Sequence, residues 1–365
     1  MPMQNKAKYK ENDNTNIKPN TVTYSSVMDA YAKQGDIDGA NKVFTMMKGD
    51  YKSGNISSKP DIRTYTTIID AWSKSNNPNA PQEAESLLTE MIDLFNKGNL
   101  KKGPDVFTYN TVLNCWSKSN RPEATSRALE ILETMIIKYK KDDNENIRPN
   151  TITYNTVMDA YAKQGDIDGA IKVLTTMKDD YKSNNMNSKP DMCTYTTIID
   201  AWSKSNNPNA PMEAESLLLE MIDLFSKGDL DEGPSTIVYS AVINCWSKSN
   251  KPEGPSRALD ILETMTVKYK ENGNTNFRPD TVTYSSVMDT YAKQGDVGGA
   301  NTVFMMMKDD YKSGNIDSKP DTATYRILMD AWNNYSGNQK APFDIAEILE
   351  LINNDNNGDN GLLVL

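Results

Sequence analysis

A tyrosine-centred motif that recurs eight times constrains the fold of this chain more than any other feature. Its first copy reads Pro-Asn-Thr-Val-Thr-Tyr-Ser-Ser-Val-Met-Asp-Ala-Tyr-Ala-Lys-Gln-Gly and runs from Pro19 to Gly35. Each copy has a proline five residues before the central tyrosine, and successive tyrosines lie 41, 44 or 45 residues apart. The central tyrosines are Tyr24, Tyr65, Tyr109, Tyr154, Tyr195, Tyr239, Tyr284 and Tyr325. A fixed period of this length is typical of repeat arrays, in which neighbouring repeats share a continuous core.

The eight repeats are of three kinds. The spacings 41, 44 and 45 recur in the same order, so three unlike repeats form a cassette of 130 residues. The sequence Ala-Trp-Ser-Lys-Ser-Asn-Asn-Pro begins at both Ala71 and Ala201, and Asn-Cys-Trp-Ser-Lys-Ser-Asn begins at both Asn114 and Asn244. Duplication of a cassette is the simplest explanation, and it provides pairs of equivalent positions within one chain.

Each repeat is predicted to contain two helices. In the first repeat, apolar side chains follow Tyr24 at i+3, i+4 and i+7, which places them on one face of a helix. Gly35 suits the end of this helix, because glycine readily takes the left-handed conformation, and Asp36 suits the cap of the next helix. In the second repeat, Pro81 suits the first turn of the second helix. We therefore expect an all-α fold, a right-handed α-solenoid of about eight helix-turn-helix repeats.

The period also divides the chain into segments. The repeat array is predicted to cover residues 21–352, with repeats 1 to 8 starting near residues 21, 62, 106, 151, 192, 236, 281 and 322. Residues 8–19 match residues 268–279, and we expect residues 1–20 to be the end of a truncated preceding repeat. Residues 353–365 are predicted to form a polar C-terminal tail.

The composition argues against most kinds of catalytic site. The chain has no histidine, which excludes His-based triads and most zinc hydrolase sites, and its three cysteines are far apart in sequence. We therefore predict no enzyme activity, no catalytic residue, no metal and no cofactor. No apolar run is long enough to span a membrane, so no membrane partner is expected. The net charge of −10 means that any binding of nucleic acid must use a local basic face.

The repeats resemble those of the pentatricopeptide repeat (PPR) family. The segment Asn-Thr-Ile-Thr-Tyr-Asn-Thr-Val-Met-Asp-Ala-Tyr-Ala-Lys-Gln-Gly-Asp, which starts at Asn150, is especially similar, and the resemblance extends over nearly the whole chain. The repeats here are longer than those of the family, and the extra residues fall in the connectors and the turn between helices. The tetratricopeptide family is a weaker match, because its Trp-x-x-Leu-Gly pattern is absent.

The resemblance implies sequence-specific binding of single-stranded RNA, with one base read by each repeat. It also implies a role in RNA processing, stability or translation in a mitochondrion or chloroplast, although no targeting peptide is recognisable in residues 1–20. A second hypothesis is a helical-repeat scaffold that binds protein partners, because such arrays offer long concave surfaces and this chain is acidic. A basic concave face would favour RNA, and an acidic or apolar groove would favour a protein.

In the family, the residue after the central tyrosine and the residue after the proline of the following repeat read one base. The pairs carried over to this chain are Ser25/Asp61, Thr66/Asp105, Asn110/Asn150, Asn155/Asp191, Thr196/Ser235, Ser240/Asp280 and Ser285/Asp321. By the family's code, Ser or Thr with Asp favours G, Asn with Asn favours C, and Asn with Asp favours U. The predicted RNA is therefore roughly 5′-GGCUNGG-3′. The alternative is that these residues only cap helices and form turns, as small polar residues commonly do.

The residue two positions before the tyrosine sandwiches the base in the family. Apolar side chains suited to this role are Val22, Phe107, Ile152, Ile237 and Val282. Arg63 and Ala323 depart from the pattern. The alternative is ordinary packing between neighbouring repeats.

A row of lysines forms the third set of candidate residues. A lysine lies nine residues after the tyrosine in seven repeats: Lys33, Lys74, Lys118, Lys163, Lys204, Lys248 and Lys293. This spacing places each lysine on the same helix face as the reading residue, where it would contact the RNA phosphates. The alternative is pairing with an aspartate four residues earlier, which exists in five of these repeats. Asn114 and Asn244 replace that aspartate in the other two.

Overall fold

The computed structural model describes residues 18–142, 144–272, 275–314, 316 and 319–335. They belong to two compact units, an N-terminal unit within residues 1–189 and a C-terminal unit within residues 190–365. Most of the predicted preceding repeat and the whole of the predicted tail, 353–365, lie outside the described residues. The same is true of the second half of repeat 8.

The N-terminal unit consists of four helix pairs. Its α-helices are α1 (Thr21–Lys33), α2 (Ile37–Lys52), α3 (Ile62–Lys74), α4 (Ala80–Asn96), α5 (Val106–Lys118), α6 (Ala124–Asp142), α7 (Thr151–Lys163) and α8 (Ile167–Lys182). Short 3₁₀ turns occupy three connectors, at Ile56–Ser58, Glu145–Ile147 and Met186–Ser188. The two helices of each pair pack against each other, and the first helix of each pair packs against the first helix of the next.

The C-terminal unit repeats this arrangement. Its helices are α9 (Met192–Lys204), α10 (Ala210–Ser226), α11 (Thr236–Ser249), α12 (Gly254–Asn272), α13 (Thr281–Lys293), α14 (Val297–Lys312) and α15 (Thr322–Asn333), with a 3₁₀ turn at Thr275–Phe277. The described residues of both units contain no β-strand. The predicted all-α helical-repeat fold is therefore confirmed.

The helix boundaries follow from capping and turn residues in the motif. Asn20 caps α1, where its side chain accepts a hydrogen bond from the backbone amide of Thr23. Gly35 has φ +70°, the left-handed conformation that ends the helix, and Asp36 then caps α2. Pro81 lies in the first turn of α4. The predictions for Gly35, Asp36 and Pro81 are confirmed.

The central tyrosine of the motif is a core residue. It is buried in all eight repeats, with an exposed fraction between 0% and 7%. In several repeats its hydroxyl donates a hydrogen bond to an acidic residue on the second helix, as Tyr65 does to Glu90 (2.9 Å) and Tyr195 does to Glu220 (2.8 Å). The tyrosine therefore joins the two helices of a repeat.

A partly buried polar cluster joins the second and third repeats of each cassette. In the C-terminal unit, Trp246 Nε1 donates a hydrogen bond to Glu215 (2.9 Å), and the guanidinium of Arg257 forms an ion pair with the same carboxylate. Trp116, Glu85 and Arg127 form the equivalent cluster in the N-terminal unit. These contacts tie α10 to α11 and α12, and α4 to α5 and α6.

Candidate nucleic-acid interface

The predicted base-reading residues lie at the start of the first helix of each repeat. One member of each pair is the N-cap residue, and the other is the fifth residue of the first helix in the preceding repeat. Asn150, for example, caps α7 and accepts a hydrogen bond from the backbone amide of Thr153 (3.0 Å). Within each compact unit, the first helices of successive repeats pack together, so the ends that carry these residues meet.

A threonine connects the two members of a pair. The Thr153 hydroxyl lies 2.7 Å from Asn110 Oδ1 and 3.0 Å from Asn150 Oδ1. Asn110 Nδ2 also donates directly to Asn150 Oδ1 (3.2 Å). The same bridge joins Ser25, Thr64 and Asp61; Thr66, Thr108 and Asp105; Ser240, Thr283 and Asp280; and Ser285, Thr324 and Asp321. Residues about 40 positions apart in sequence are thus held within one hydrogen-bond network.

Two pairs differ from this scheme. At Thr196 and Ser235 the bridging position holds Val238, which has no hydroxyl, and the Ser235 side chain makes no capping hydrogen bond. The members of the other pair belong to different compact units: Asn155 lies half-buried on α7, and Asp191 caps α9 with a capping box. Thr196/Ser235 is also the pair to which the family's code assigns no base.

Most of the paired side chains can be reached by a ligand. Ser25 is buried, with 5% of its surface exposed, and the other thirteen are half-buried or exposed. At Asp61, Asp105, Asp280 and Asp321, Oδ1 accepts the capping hydrogen bond. Oδ2 of these four aspartates has no hydrogen-bond partner among the described residues, so it can accept a hydrogen bond from a ligand.

The predicted base-sandwiching side chains are all exposed. Their exposed fractions are 65% for Val22, 58% for Phe107, 62% for Ile152, 71% for Ile237 and 61% for Val282. A large apolar side chain in water costs free energy unless something covers it. The alternative for this position was packing between neighbouring repeats. Among the described residues, such packing does not cover these five side chains.

All seven predicted phosphate-contacting lysines have partners within the protein. Lys33, Lys74, Lys163, Lys204 and Lys293 form ion pairs of 2.5–2.8 Å with the aspartate four residues earlier. Lys118 and Lys248, which have asparagine at that position, instead donate to the backbone oxygens of Ser73 (3.4 Å) and Ser203 (2.6 Å). The local pairing that the sequence offered as an alternative is therefore present in the structure, and phosphate contact stays a prediction.

The bridging threonines are the residues that the sequence interpretation missed. The signal was present, because Thr64, Thr108, Thr153, Thr194, Thr283 and Thr324 each directly precede a central tyrosine. They are fully buried. A buried hydroxyl can position an exposed side chain, but the sequence does not show which threonines are buried. The hydroxyls of Thr64, Thr108, Thr153, Thr283 and Thr324 each contact both reading residues of a pair.

The described residues show little that resembles a reaction centre. They contain no group of His, Cys, Asp or Glu side chains that could hold a metal ion. Burial raises the pKa of the Cys115 and Cys245 thiols to about 12, so these thiols stay protonated at neutral pH. Within the same part of the chain, no helix combines the length and the apolar character that crossing a membrane requires.

Comparisons with known proteins agree with this geometry. The PPR repeat family matches residues 149–204 and 279–334, and a PPR repeat matches residues 15–48. The chain is similar in structure to the pentatricopeptide repeat protein PPR10 from maize, with a TM-score of 0.53 and 20% sequence identity. The alignment covers 99% of this chain but only 47% of that one, so the chain spans about half the length of PPR10. No curated protein sequence matches the chain.

The family matches fall on repeats 1, 4, 5, 7 and 8, and the fold similarity extends over nearly the whole chain. These repeats have buried central tyrosines and polar residues in register at the helix starts. The chain contains repeats of the pentatricopeptide repeat family, at residues 15–48, 149–204 and 279–334.

Proposed function

We propose that this chain binds single-stranded RNA in a sequence-specific manner, with one base read by each of seven residue pairs. The proteins of the family that it resembles act on organellar RNA, and we extend this to a role in RNA processing, stability or translation in a mitochondrion or chloroplast. The chain would act by occupying its RNA or by recruiting protein partners.

The observation that carries the proposal is the threonine-bridged pair. A hydrogen-bonded network that joins Asn110, Thr153 and Asn150 holds two amide groups at the surface in a fixed relative position. Fixed donors and acceptors can discriminate one base edge from another, because a wrong base leaves polar groups unpaired. Exposed apolar side chains such as Ile152 and Val282 lie two positions before the central tyrosines, where a base face could cover them.

Selection from a random pool of single-stranded RNA tests the proposal. The selection is carried out at about 150 mM salt, because the Debye length there is about 8 Å and distant charges are screened. We expect enrichment of a G-rich motif with C and U at its third and fourth positions. Enrichment of an unrelated motif would retain RNA binding but reject the assigned pairs.

A protein-binding scaffold is the second candidate function. The observation in its favour is that five of the seven lysines on the predicted RNA face are neutralised by aspartates, and the net charge is −10. Failure of the selection to enrich any RNA motif would favour this candidate over RNA binding.

A further inference from the structure

A cavity of about 770 Å³ opens between the start of α3 and the connector that precedes α5. The connector of interest, residues 97–104, joins the second and third repeats of the first cassette. Thr66 and Asp105, the predicted reading pair of repeat 2, line this cavity together with Phe107. The volume lies within the range of small-molecule pockets and is large enough for a nucleotide.

Four cations line the same cavity, and none of them is neutralised within the described part of the protein. They are Lys59, Arg63, Lys101 and Lys102. None forms an ion pair with a described residue. This distinguishes them from the lysine row, in which Lys33 and Lys74 have aspartate partners.

Of the four carboxylates that line the cavity, two form ion pairs and two accept helix-capping hydrogen bonds. Asp29 is paired with Lys33 (2.7 Å), and Asp70 is paired with Lys74 (2.6 Å). The remaining two, at the helix N-caps, accept hydrogen bonds from backbone amides of α3 and α5. An N-cap carboxylate interacts favourably with the positive end of the helix. The unpaired charges that face the cavity are therefore mainly positive.

The second cassette provides a natural comparison for this connector. Its equivalent segment, residues 227–234, follows the same path: Gly98 has φ +73° and Gly228 has φ +76°. Leu100 and Leu230 are both buried, with 6% and 5% of their surfaces exposed.

The charge of the connector is reversed between the cassettes. Lys101 and Lys102 are replaced by Asp231 and Glu232, and the position of Arg63 is taken by Cys193. Two connectors of one backbone shape thus differ in the charge that they present. Backbone geometry and folding therefore do not require lysines at this place.

From this we infer that Lys59, Arg63, Lys101 and Lys102 hold the RNA phosphates at the nucleotide read by repeat 2, and that the equivalent connector of the second cassette does not. The inference rests on the proposed RNA binding. A cation without an ion-pair partner in the protein can bind a phosphate directly and release its counterion. A lysine in an ion pair must first break its contact with the aspartate. The first cassette would therefore supply most of the salt-dependent affinity.

The experiment compares the salt dependence of RNA binding in matched variants. Lys101→Gln with Lys102→Gln should reduce the slope of log K against log salt concentration by about 1.4, since each contact to a single strand contributes about 0.7. Lys97→Gln with Lys227→Gln is the control, because it removes the same charge from residues that do not line the cavity. The control should leave the slope nearly unchanged.

The reciprocal variant, Asp231→Lys with Glu232→Lys, gives the second connector the charge of the first and should steepen the slope. In the selected RNA, a neutral methylphosphonate at the nucleotide assigned to repeat 2 should remove the difference between the wild type and the Lys101/Lys102 variant. Equal slopes for that variant and its control would overturn the inference and leave RNA binding intact. A wild-type chain that binds no RNA would instead overturn the proposed function, and this inference with it.

Discussion

Asn110 and Asn150 lie 40 residues apart in the chain, yet the side-chain amide of Asn110 donates a hydrogen bond to the side-chain oxygen of Asn150 (3.2 Å). Thr153 holds both side chains through its hydroxyl. A pair that family resemblance assigns to the reading of one base is therefore a contact in the folded chain. Asn150 also caps α7. A test of base reading must therefore change this side chain without removing the helix cap.

The substitution Asn150→Asp should change base preference and leave the fold intact. Aspartate caps a helix as well as asparagine does, so the stability of α7 should stay within a few tenths of a kcal/mol. By the family's code, the preference of this pair should move from C to U, by about tenfold or 1.4 kcal/mol. Binding to RNAs that differ at this one base measures the shift.

Asn20→Asp is the matched control for this substitution. It makes the same chemical change at the N-cap of α1, which belongs to none of the seven predicted pairs. Its base preferences should equal those of the wild type. Equal effects of the two substitutions would mean that Asn150 acts only through general charge, which would contradict base reading by this pair.

Asp70→Asn should strengthen RNA binding. Asp70 pairs with Lys74 (2.6 Å), and asparagine already occupies the equivalent positions 114 and 244, so the fold accommodates the change. An exposed pair of this spacing contributes only a few tenths of a kcal/mol to helix stability. If Lys74 contacts phosphate, its release should steepen the salt slope by about 0.7.

The control for Asp70→Asn is Asp223→Asn on α10. Asp223 forms the same kind of pair with Lys227 (2.6 Å) but lies on a second helix, away from the helix starts that carry the reading residues. A salt slope that changes equally in both variants would show a general effect of net charge and would contradict phosphate contact by Lys74.

The free energy of unfolding should fall as the pH rises above about 10. Burial raises the pKa of Tyr109 to about 12, and the same cause raises the pKa of Tyr65, Tyr154 and Tyr239. In the unfolded chain these groups ionise near pH 10, while the folded chain retains their protons. Unfolding therefore releases protons in this range, so the stabilisation is complete below pH 10 and is lost above it.

Urea midpoints measured between pH 8 and pH 11, with tyrosinate absorbance followed in parallel, test this expectation. The buried tyrosines should ionise together with unfolding and not before it. Ionisation of all tyrosines near pH 10 in the folded chain would contradict their burial.

Removal of single tyrosine hydroxyls should have different effects on the free energy of unfolding in repeats 2 and 6. Tyr65→Phe loses the hydrogen bond to the Glu90 carboxylate and should cost about 1.5–3 kcal/mol of unfolding free energy. The Tyr239 hydroxyl is buried without a hydrogen-bond partner among the described residues, so Tyr239→Phe should be neutral or stabilising. Urea denaturation of both variants gives the comparison, and a similar loss in both would show that Tyr239 has a partner.

Glu215→Ala should destabilise the C-terminal unit by about 2–4 kcal/mol, because it leaves Trp246 Nε1 and the Arg257 guanidinium without their common partner. Glu213→Ala on the same helix is the control, since Glu213 is exposed. Trp246→Phe should lower the free energy of unfolding less in the Glu215→Ala background than in the wild type. Additive losses in this double-mutant cycle would mean that the cluster is not coupled.

The sequence alone determined the architecture of this protein. Helix starts and ends depend on residues that act locally, such as the Asp36 cap and the Gly35 turn, and local interactions can be read from neighbouring letters. The all-α fold could be predicted for the same reason, because the apolar period is regular. Tyr24 and its equivalents stood out by their regularity, although their burial became visible only in the folded chain.

The tertiary structure decided which charged side chains are unpaired and which hydroxyls connect two repeats. The lysine row has the right spacing for phosphate contact, but the rotamers of Lys33 and Lys74 bring them to aspartates. Thr153 bridges residues of two repeats, and Lys101 reaches the cavity of repeat 2 from a connector. Such contacts depend on how one repeat packs against the next. A linear pattern shows which residues share a helix face, but only packing determines the distances between residues of different repeats.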